Sequence, residues 1–308
     1  MKITIIGYKN HALRLRNILH ELRFSKIYNY NYHKDSISDF EDSDAFIIAS
    51  PNETHIEWIE KLHSSGKYIF CEKPPVTNLR DLNKIKSFIN GKLYFNFNYR
   101  HTLFAKNISN YLRTNEIGKL INLNFVSTHG LAFKSSYQND WRFKGNNLFS
   151  SIIGNVGIHY VDLVGFICGG ISNIKVEKFS VISNELPDTA KIRLNTKLCY
   201  ADVLLSYAAP FRNQATSIFD NGILEFLDGE LTIQKPREVY DDNGRFMPPK
   251  KKHLNKIPMT AKQYYDQSLK DSINYFLNFV KNNSNISLEE QLLSIQNTKI
   301  FLESQQNY

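Results

Sequence analysis

The change of rhythm along the 308 residues is what most constrains the fold of this chain. Up to about residue 120, short β-like runs alternate with amphipathic stretches. KITIIG is followed by a helix through ALRLRNILHEL, then KIYNYNY, AFIIAS, a helix over ETHIEWIEKLHSSG, KYIFCEK, a helix over NLRDLNKIKSFING, and KLYFNFN. Strands separated by helices of roughly 10–15 residues build a parallel sheet from βαβ units rather than hairpins. After 120 the strand candidates follow one another directly: LINLNFVST, IKVEKFSVIS, AKIRLN, CYADVLLSYA, TSIFD, GILEFLD and ELTIQ, with the turn signals DNG and DGE. That succession is the pattern of an antiparallel sheet. SSIIGNVGIHYVDLVGFICG interrupts it with an apolar spacing over Ile158–Ile167 that suits a helix packed on the sheet. Two amphipathic helices end the sequence, the second opened by a capping box from Ser287 to Glu290. The expectation is an α/β chain: a doubly wound parallel sheet over residues 1–119, then an α+β domain with a large, mostly antiparallel sheet over residues 120–308.

Composition removes several classes of function. With 42% hydrophobic and 22% charged residues the chain has the balance of a globular protein, not of a disordered one. No apolar run approaches the ~18 residues of a membrane span, and the opening MKITIIGYKN runs into structure-like sequence without a small-residue cleavage site, so cytoplasmic residence is expected. The net charge of +8 comes from Lys and Arg spread along the whole length, with no basic stripe on any helix, and nucleic acid is not an expected partner. PPKKKHLNK, next to YDDNGRF, reads as an exposed loop. Cys71, Cys168 and Cys199 lie far apart without CxxC spacing. Neither a metal site nor a disulfide framework is indicated, and they read as buried small hydrophobes.

Two short stretches carry chemistry. The first strand ends in Gly7, where a dinucleotide-binding fold places a G-x-G-x-x-G turn, but the residues are Gly7, Tyr8, Lys9, Asn10, His11 and Ala12. Ala12 is an accepted variant of the third glycine; Lys9 replaces the second. Either the Lys9 ammonium swings outward to attend phosphates while the helix N-terminus supplies N–H donors, or the turn binds nothing. The second stretch is IFCEKPPV, an apolar run ending in Glu72, Lys73 and two prolines. Charge at the end of a buried strand costs desolvation energy and proline there removes donors, so the feature calls for a functional explanation.

In order and spacing, ASPNETH (49–55), CEKPP (71–75), FNFNYR (95–100), DWRF (140–143) and SSIIGNVGIHYVDL (150–163) resemble the glucose-fructose oxidoreductase / inositol dehydrogenase (Gfo/Idh/MocA) family, and the last two helices are similar to its closing helices. The resemblance implies that Lys73 projects into a cleft between domains beside a nicotinamide and hydrogen-bonds the hydroxyl or carbonyl undergoing redox. A lysine in a dry cleft near other cations has a lowered pKa and can exchange protons near neutral pH. The following proline can fix its direction, including through a cis bond. Glu72 orients the local network or touches ribose.

The family pattern D-x-G-x-H-x-x-D becomes Asn155, Gly157, His159 and Asp162 here. Positions 155 and 159 would share a helical face, with His159 as the acid/base or substrate clamp and Asn155 as a non-ionising hydrogen-bonding partner. The replacement leaves three readings: positioning by Asn155 with Lys73 and His159 moving protons, a different reaction, or lost activity. Ser150 and Ser151 stand where the family has glycines, and Asp162 orients neighbours. Arg142, after Trp141, is a candidate for an anionic substrate group. Asn98, Tyr99 and Arg100 lie in the loop that the resemblance places at the substrate.

Ser50, Pro51, Asn52 and His55 match the family's loop beside the nicotinamide ribose. At the end of the second strand, Asn31, Tyr32, His33 and Lys34 offer no carboxylate for a ribose 2′-hydroxyl, and Lys34 can attract a 2′-phosphate, so the cofactor reading is NAD(P) with a lean to NADP. The resemblance implies an NAD(P)-dependent oxidoreductase acting on a sugar or sugar derivative, including a nucleotide-linked sugar of surface-polysaccharide synthesis. A cofactor-retaining lyase, epimerase or glycosidase using transient oxidation, and a non-catalytic binding protein of the same fold, are the alternatives. A homodimer or homotetramer is expected, since large antiparallel sheets often pair.

Overall fold

In the first part of the chain the central strands are enclosed on both faces. β1 (Lys2–Ile6), β2 (Lys26–Tyr30), β3 (Ala45–Ile48), β4 (Tyr68–Glu72) and β5 (Leu93–Asn96) form an all-parallel sheet in the order β2-β1-β3-β4-β5. Every residue of β3, β4 and β5 is buried, which is why these strands read as apolar runs rather than alternations. α1 (Asn10–Glu21), α2 (His55–His63) and α3 (Leu79–Lys86) are the crossovers. α1 buries Ala12, Leu15, Ile18 and Leu19, one stripe of a helix. α3 starts where Asn78 Oδ1 accepts the Asp81 N–H at 3.0 Å. The computed structural model describes all residues except 32–33, 140, 145–147, 183–185 and 307–308, together with the backbone alone at 138, 141, 144 and 306.

The chain divides into two compact units: residues 1–97 with 270–303, and residues 98–269 with 304–308. This differs from the expected division at 119/120. α4 (Leu103–Thr114), which the strand-helix alternation does not contain, falls in the second unit. Thr102 caps it by accepting the Ala105 N–H, and Phe104 meets Phe125 with ring centroids 5.8 Å apart. Conversely, the end of α7 (Ala261–Asn282) and most of α8 (Leu288–Gln306) belong to the first unit. There Phe276 packs edge-on against Phe70 at 5.4 Å and beside Tyr94 at 6.0 Å, and the Ile286 N–H bonds Gly91 O at 2.7 Å. Ser287 caps α8 by accepting the Glu290 N–H at 3.3 Å.

The second unit is built on an eight-stranded sheet in the order β13-β12-β11-β10-β6-β9-β8-β7. The strands are β6 (Leu120–Thr128), β7 (Asn173–Phe179), β8 (Thr189–Asn195), β9 (Tyr200–Ser206), β10 (Arg212–Phe219), β11 (Gly222–Leu227), β12 (Glu230–Gln234) and β13 (Lys251–His253). Neighbours are antiparallel except β6 and β9, which run parallel. α5 (Trp141–Lys144) and α6 (Ile158–Cys168) lie between β6 and β7 in sequence, and a π-helical turn over Ile153–Gly157 leads into α6. α6 is buried nearly all round; at its start a Cβ on Gly157 would sit 3.0 Å from Ile192 and 3.2 Å from Leu205. β13 corrects the loop reading of PPKKKHLNK: Lys251, Lys252 and His253 are exposed, yet pair with β12 as an edge strand.

Candidate functional site

The turn from β1 into α1 admits no side chain at Gly7. Its φ is +138°, and a Cβ there would lie 2.8 Å from Ala49 O. α1 makes its first i→i−4 bond from Leu13 N–H to Lys9 O, so the N–H groups of Asn10, His11 and Ala12 come before the helical ladder. No acidic residue occupies the first turn. Beside it is a cavity of about 220 Å³ lined by Gly7, Tyr8, Lys9, Tyr30, Ser50 and Pro51, among others. Amide donors at a helix start, a glycine at the closest approach and a cationic Lys9 are a donor set suited to a dinucleotide's phosphates.

The loop after β3 closes this cavity. Thr54 Oγ1 donates to Ser50 Oγ at 2.7 Å, and Asn52–Thr54 forms one turn of 3₁₀ helix before α2. His55 is completely buried, with Nδ1 2.8 Å from Pro74 O and Nε2 3.1 Å from Ser50 O. Burial holds its pKa below the usual histidine value, against the pull of both carbonyls, so the ring is neutral and carries one N–H. His55 sits between the Ser50 loop and the Lys73–Pro74 bond, which is cis, and its single N–H donates to one of the two carbonyls. At the end of β2, Asn31 N–H donates to Asp35 Oδ2 at 2.8 Å, and Lys34 is exposed. Tyr32 and His33 lie outside the described residues. Asn29, which sequence reasoning passed over, donates to Gly7 O at 3.0 Å and accepts from Arg16, tying the turn to β2.

Glu72, at the end of β4, is buried and accepts on one oxygen from both Asn96 Nδ2 and His11 Nε2, each at 2.8 Å. Asn96 Oδ1 in turn accepts from Ser272 Oγ at 2.6 Å, and Ser272 shares a 2.8 Å hydrogen bond with Tyr94 OH. Burial pushes the Glu72 carboxyl up, but His11, Asn96 and the charge of Lys73 outweigh it and hold the pKa below the usual value. The carboxylate is therefore ionised at neutral pH. It anchors the residue preceding Lys73, whose side chain is half-buried. Of this chain, sequence reasoning had Glu72, Lys73 and His11; Asn96 and Ser272 come from elements more than 170 residues apart, and only the fold joins them.

In the second unit the expected residues are held differently. The Tyr99 ring stacks on His159 at 4.2 Å and 14°, and on Tyr265 at 5.3 Å and 29°. Burial pushes its phenol well up. His159 is 8% exposed. Arg100, expected as a substrate contact, is 5% exposed and forms a bidentate pair with Asp162, Nε to Oδ2 at 2.7 Å and Nη2 to Oδ1 at 2.6 Å. Its observed partner is thus α6. Asn155 lies in the π-helical turn and donates through Nδ2 to Tyr207 OH at 3.0 Å. Asn155 and His159 thus have different aromatic neighbours, Tyr207 and Tyr99.

Tyr207 and His129 had escaped the sequence reading. They follow the C-terminal ends of the parallel pair β9 and β6, with ring centroids 4.8 Å apart. The His129 N–H bonds Ser206 O. Burial, then the positive charges of Arg142 and Lys134, lower the His129 pKa, which places the half-buried Arg142 in the same electrostatic neighbourhood. The signal that would have found this group is the β6–β9 pairing, which the expectation of an antiparallel sheet left out. The Trp141 side chain lies outside the described residues.

Comparison with known proteins agrees with this architecture. Residues 3–92 match the profile "Oxidoreductase family, NAD-binding Rossmann fold", and residues 106–225 match the "GFO/IDH/MocA C-terminal domain". A levoglucosan dehydrogenase of Pseudarthrobacter phenanthrenivorans is 24% identical over 156 residues, 50% of this chain and 39% of that protein. A glucose-6-phosphate 3-dehydrogenase of Bacillus subtilis is 27% identical over 131 residues, 41% of this chain and 37% of that protein. The chain thus aligns with about two fifths of the length of these curated relatives. Among solved structures, an oxidoreductase from Agrobacterium radiobacter in complex with NAD+, L-tartaric acid and magnesium superposes with a TM-score of 0.77 at 14% identity, covering 100% of this chain and 96% of that one. With both profiles matched across more than half of its length, the chain belongs to the Gfo/Idh/MocA family of oxidoreductases.

Proposed function

We propose that this chain is an NAD(P)-dependent dehydrogenase or reductase acting on a hydroxyl or keto carbon of a sugar or sugar derivative. The observation that carries the reading is the buried Glu72 chain, which fixes the strand end bearing Lys73 in the same unit as the glycine turn. Gly7, the N–H groups of Asn10, His11 and Ala12, Lys9, and the Ser50–Asn52 loop would hold the dinucleotide. When bound, a nicotinamide supplies the hydride donor or acceptor. Lys73 would exchange the proton of the reacting hydroxyl. His159 would serve as a second acid/base or hydroxyl clamp, and Asn155, neutral at every pH, as a hydrogen-bonding clamp. On this assignment Asn155→Asp keeps turnover within about tenfold, a hydrogen-bond difference of ~1.4 kcal/mol, whereas His159→Ala is far more damaging.

NADP is the preferred cofactor in this reading, because the exposed Lys34 can meet a 2′-phosphate and the nearby Asp35 carboxylate is engaged by the Asn31 N–H. The positive charges of Arg142 and Lys134 beside the neutral His129 favour an anionic substrate such as a nucleotide-linked sugar. Tyr200, Leu204 and Ile218, exposed in adjoining registers of the second sheet, favour a homodimer or homotetramer formed through that face.

The test is titration of the purified chain with NADH and NADPH by fluorescence, followed by a panel of neutral sugars, sugar phosphates and nucleotide sugars monitored at the nicotinamide absorbance. Tighter NADPH binding and a sugar-dependent absorbance change are expected. Product formed without net cofactor change would replace net oxidation by an internal redox cycle. Failure to bind either dinucleotide at millimolar concentration would overturn the enzyme reading.

A further inference from the structure

The three cysteines are widely separated in sequence, yet the fold brings two of them together. Cys168 is the last residue of α6, and Cys199 closes the turn that opens β9; their Sγ atoms are 3.8 Å apart. Thr196 fixes the turn, its Oγ1 accepting the Cys199 N–H at 3.0 Å and donating to Cys199 O at 2.8 Å. Both thiols are shallow: Cys168 and Cys199 are 6% and 7% exposed, and Gly169, Leu198 and Tyr200 beside them are exposed. Cys71, by contrast, is fully enclosed within β4, where burial pushes its thiol well up.

We infer that Cys168 and Cys199 form a dithiol modification site that a peroxide converts into a disulfide. The hydrogen bond from the Cys168 thiol lowers the pKa of Cys199, with Thr196 adding to it against the effect of burial; the same bond and burial push Cys168 up. In the proposed step Cys199 is the nucleophile. Its thiolate attacks one peroxide oxygen, an S–O bond forms and the O–O bond breaks, and the departing oxygen leaves as water after taking up a proton. The resulting Cys199 sulfenic acid faces the Cys168 sulfur. Cys168 attacks it, the S–S bond forms and the S–O bond breaks, and hydroxide leaves as water with the Cys168 proton. Two thiols are oxidised and one hydrogen peroxide is reduced to two waters. The new bond would fasten the last turn of α6, the helix that carries His159, to the start of β9.

The experiment treats the full chain with graded hydrogen peroxide and counts thiols in denaturant, with intact mass and peptide mapping in parallel. The expected result is a fall from three reactive thiols to one, a mass loss of two hydrogens, a Cys168–Cys199 cross-linked peptide, and full recovery with dithiothreitol. Cys71→Ala should lose its two remaining thiols in the same way. Cys168→Ser, lacking the resolving thiol, should instead carry oxygen on Cys199. Stepwise addition of two or three oxygens to Cys168 or Cys199 of the unsubstituted chain, without the cross-link, would overturn the inference. So would retention of all three thiols at peroxide concentrations that oxidise a free cysteine peptide. Because the unsubstituted chain decides the matter, failure of a variant to fold leaves the test intact.

Discussion

The polar strand end of the first unit and the aromatic stack of the second solve one problem with opposite materials. Around Glu72, position is set by directed hydrogen bonds: Tyr94, Ser272, Asn96 and His11 leave a buried carboxylate one arrangement. Around His159, position is set mainly by ring faces, with Tyr99 stacked on the imidazole and on Tyr265, to which its hydroxyl also hydrogen-bonds, and a buried Arg100–Asp162 pair fixing the turn to α6. Hydrogen bonds specify direction and fail abruptly when one partner is lost, because the others are left buried and unsatisfied. Stacked rings tolerate loss of a polar atom as long as the faces remain. The difference predicts which substitutions propagate.

The largest effect should come from Lys73→Ala, which removes the group that the Glu72 chain positions. Turnover should fall by roughly 10²–10⁴-fold while NADPH affinity changes little; steady-state kinetics with a fluorescence titration checks both. Unchanged turnover in a folded variant would mean that the strand end is built for something other than proton transfer.

Next comes the ion pair of the second unit. Asp162→Ala strands the Arg100 charge, since the two side chains are only 3% and 1% exposed. A cost of about 3–5 kcal/mol in denaturant unfolding is expected, the range for breaking a buried pair from one side. A loss under ~1 kcal/mol would show that ring packing alone holds the 98–101 turn.

A sharper contrast uses two hydroxyl deletions of equal size. Ser272→Ala removes the donor to Asn96 and should cost about 1–3 kcal/mol, lower turnover, and be rescued by Ser272→Thr. Tyr99→Phe removes the hydroxyl that bonds Tyr265 but keeps the ring face against His159, and should lower turnover less than Ser272→Ala does. The reverse order would overturn the distinction between the two regions.

The smallest effect is a pH slope. His55 has a folded pKa below the usual histidine value of 6.5, chiefly through burial, so between those values the unfolded chain binds more protons than the folded one. Its contribution is complete above about pH 6.5 and is lost as pH falls toward the folded pKa. Thermal unfolding of the parent chain should therefore move to lower temperature between pH 7 and 5.5, and His55→Gln should flatten that dependence. Glu72, also depressed, acts in the same direction at lower pH.

The parts of the fold legible in sequence were those encoded locally. Runs such as AFII and YIFCE, separated by helical stripes, announce a parallel sheet because each strand's burial is written in its own residues. Gly7 and the Glu72–Lys73–Pro74 end were legible for the same reason. α4 carried its own signals, a Thr102 cap and apolar residues at 104, 105, 108 and 111, and was simply passed over. What local sequence does not carry is pairing between distant elements. The parallel β6–β9 contact that joins His129 to Tyr207, the Ser272–Asn96 bond and the meeting of Cys168 with Cys199 each depend on tertiary packing. The π-helical turn at Asn155 is a one-residue change in winding that apolar spacing cannot resolve.

β13 bears on how the protein behaves at high concentration. An open sheet can recruit a foreign strand wherever its outer backbone groups are bare. Here the outermost segment presents Lys251, Lys252 and His253 in succession, with Lys251 held to Glu225 at 2.8 Å. Another chain approaching that margin would have to bring its backbone against hydrated, charged lysine side chains. Fibril-like lateral growth from this side is thereby disfavoured, and polyanions, which screen the margin, are the additives expected to promote clumping there.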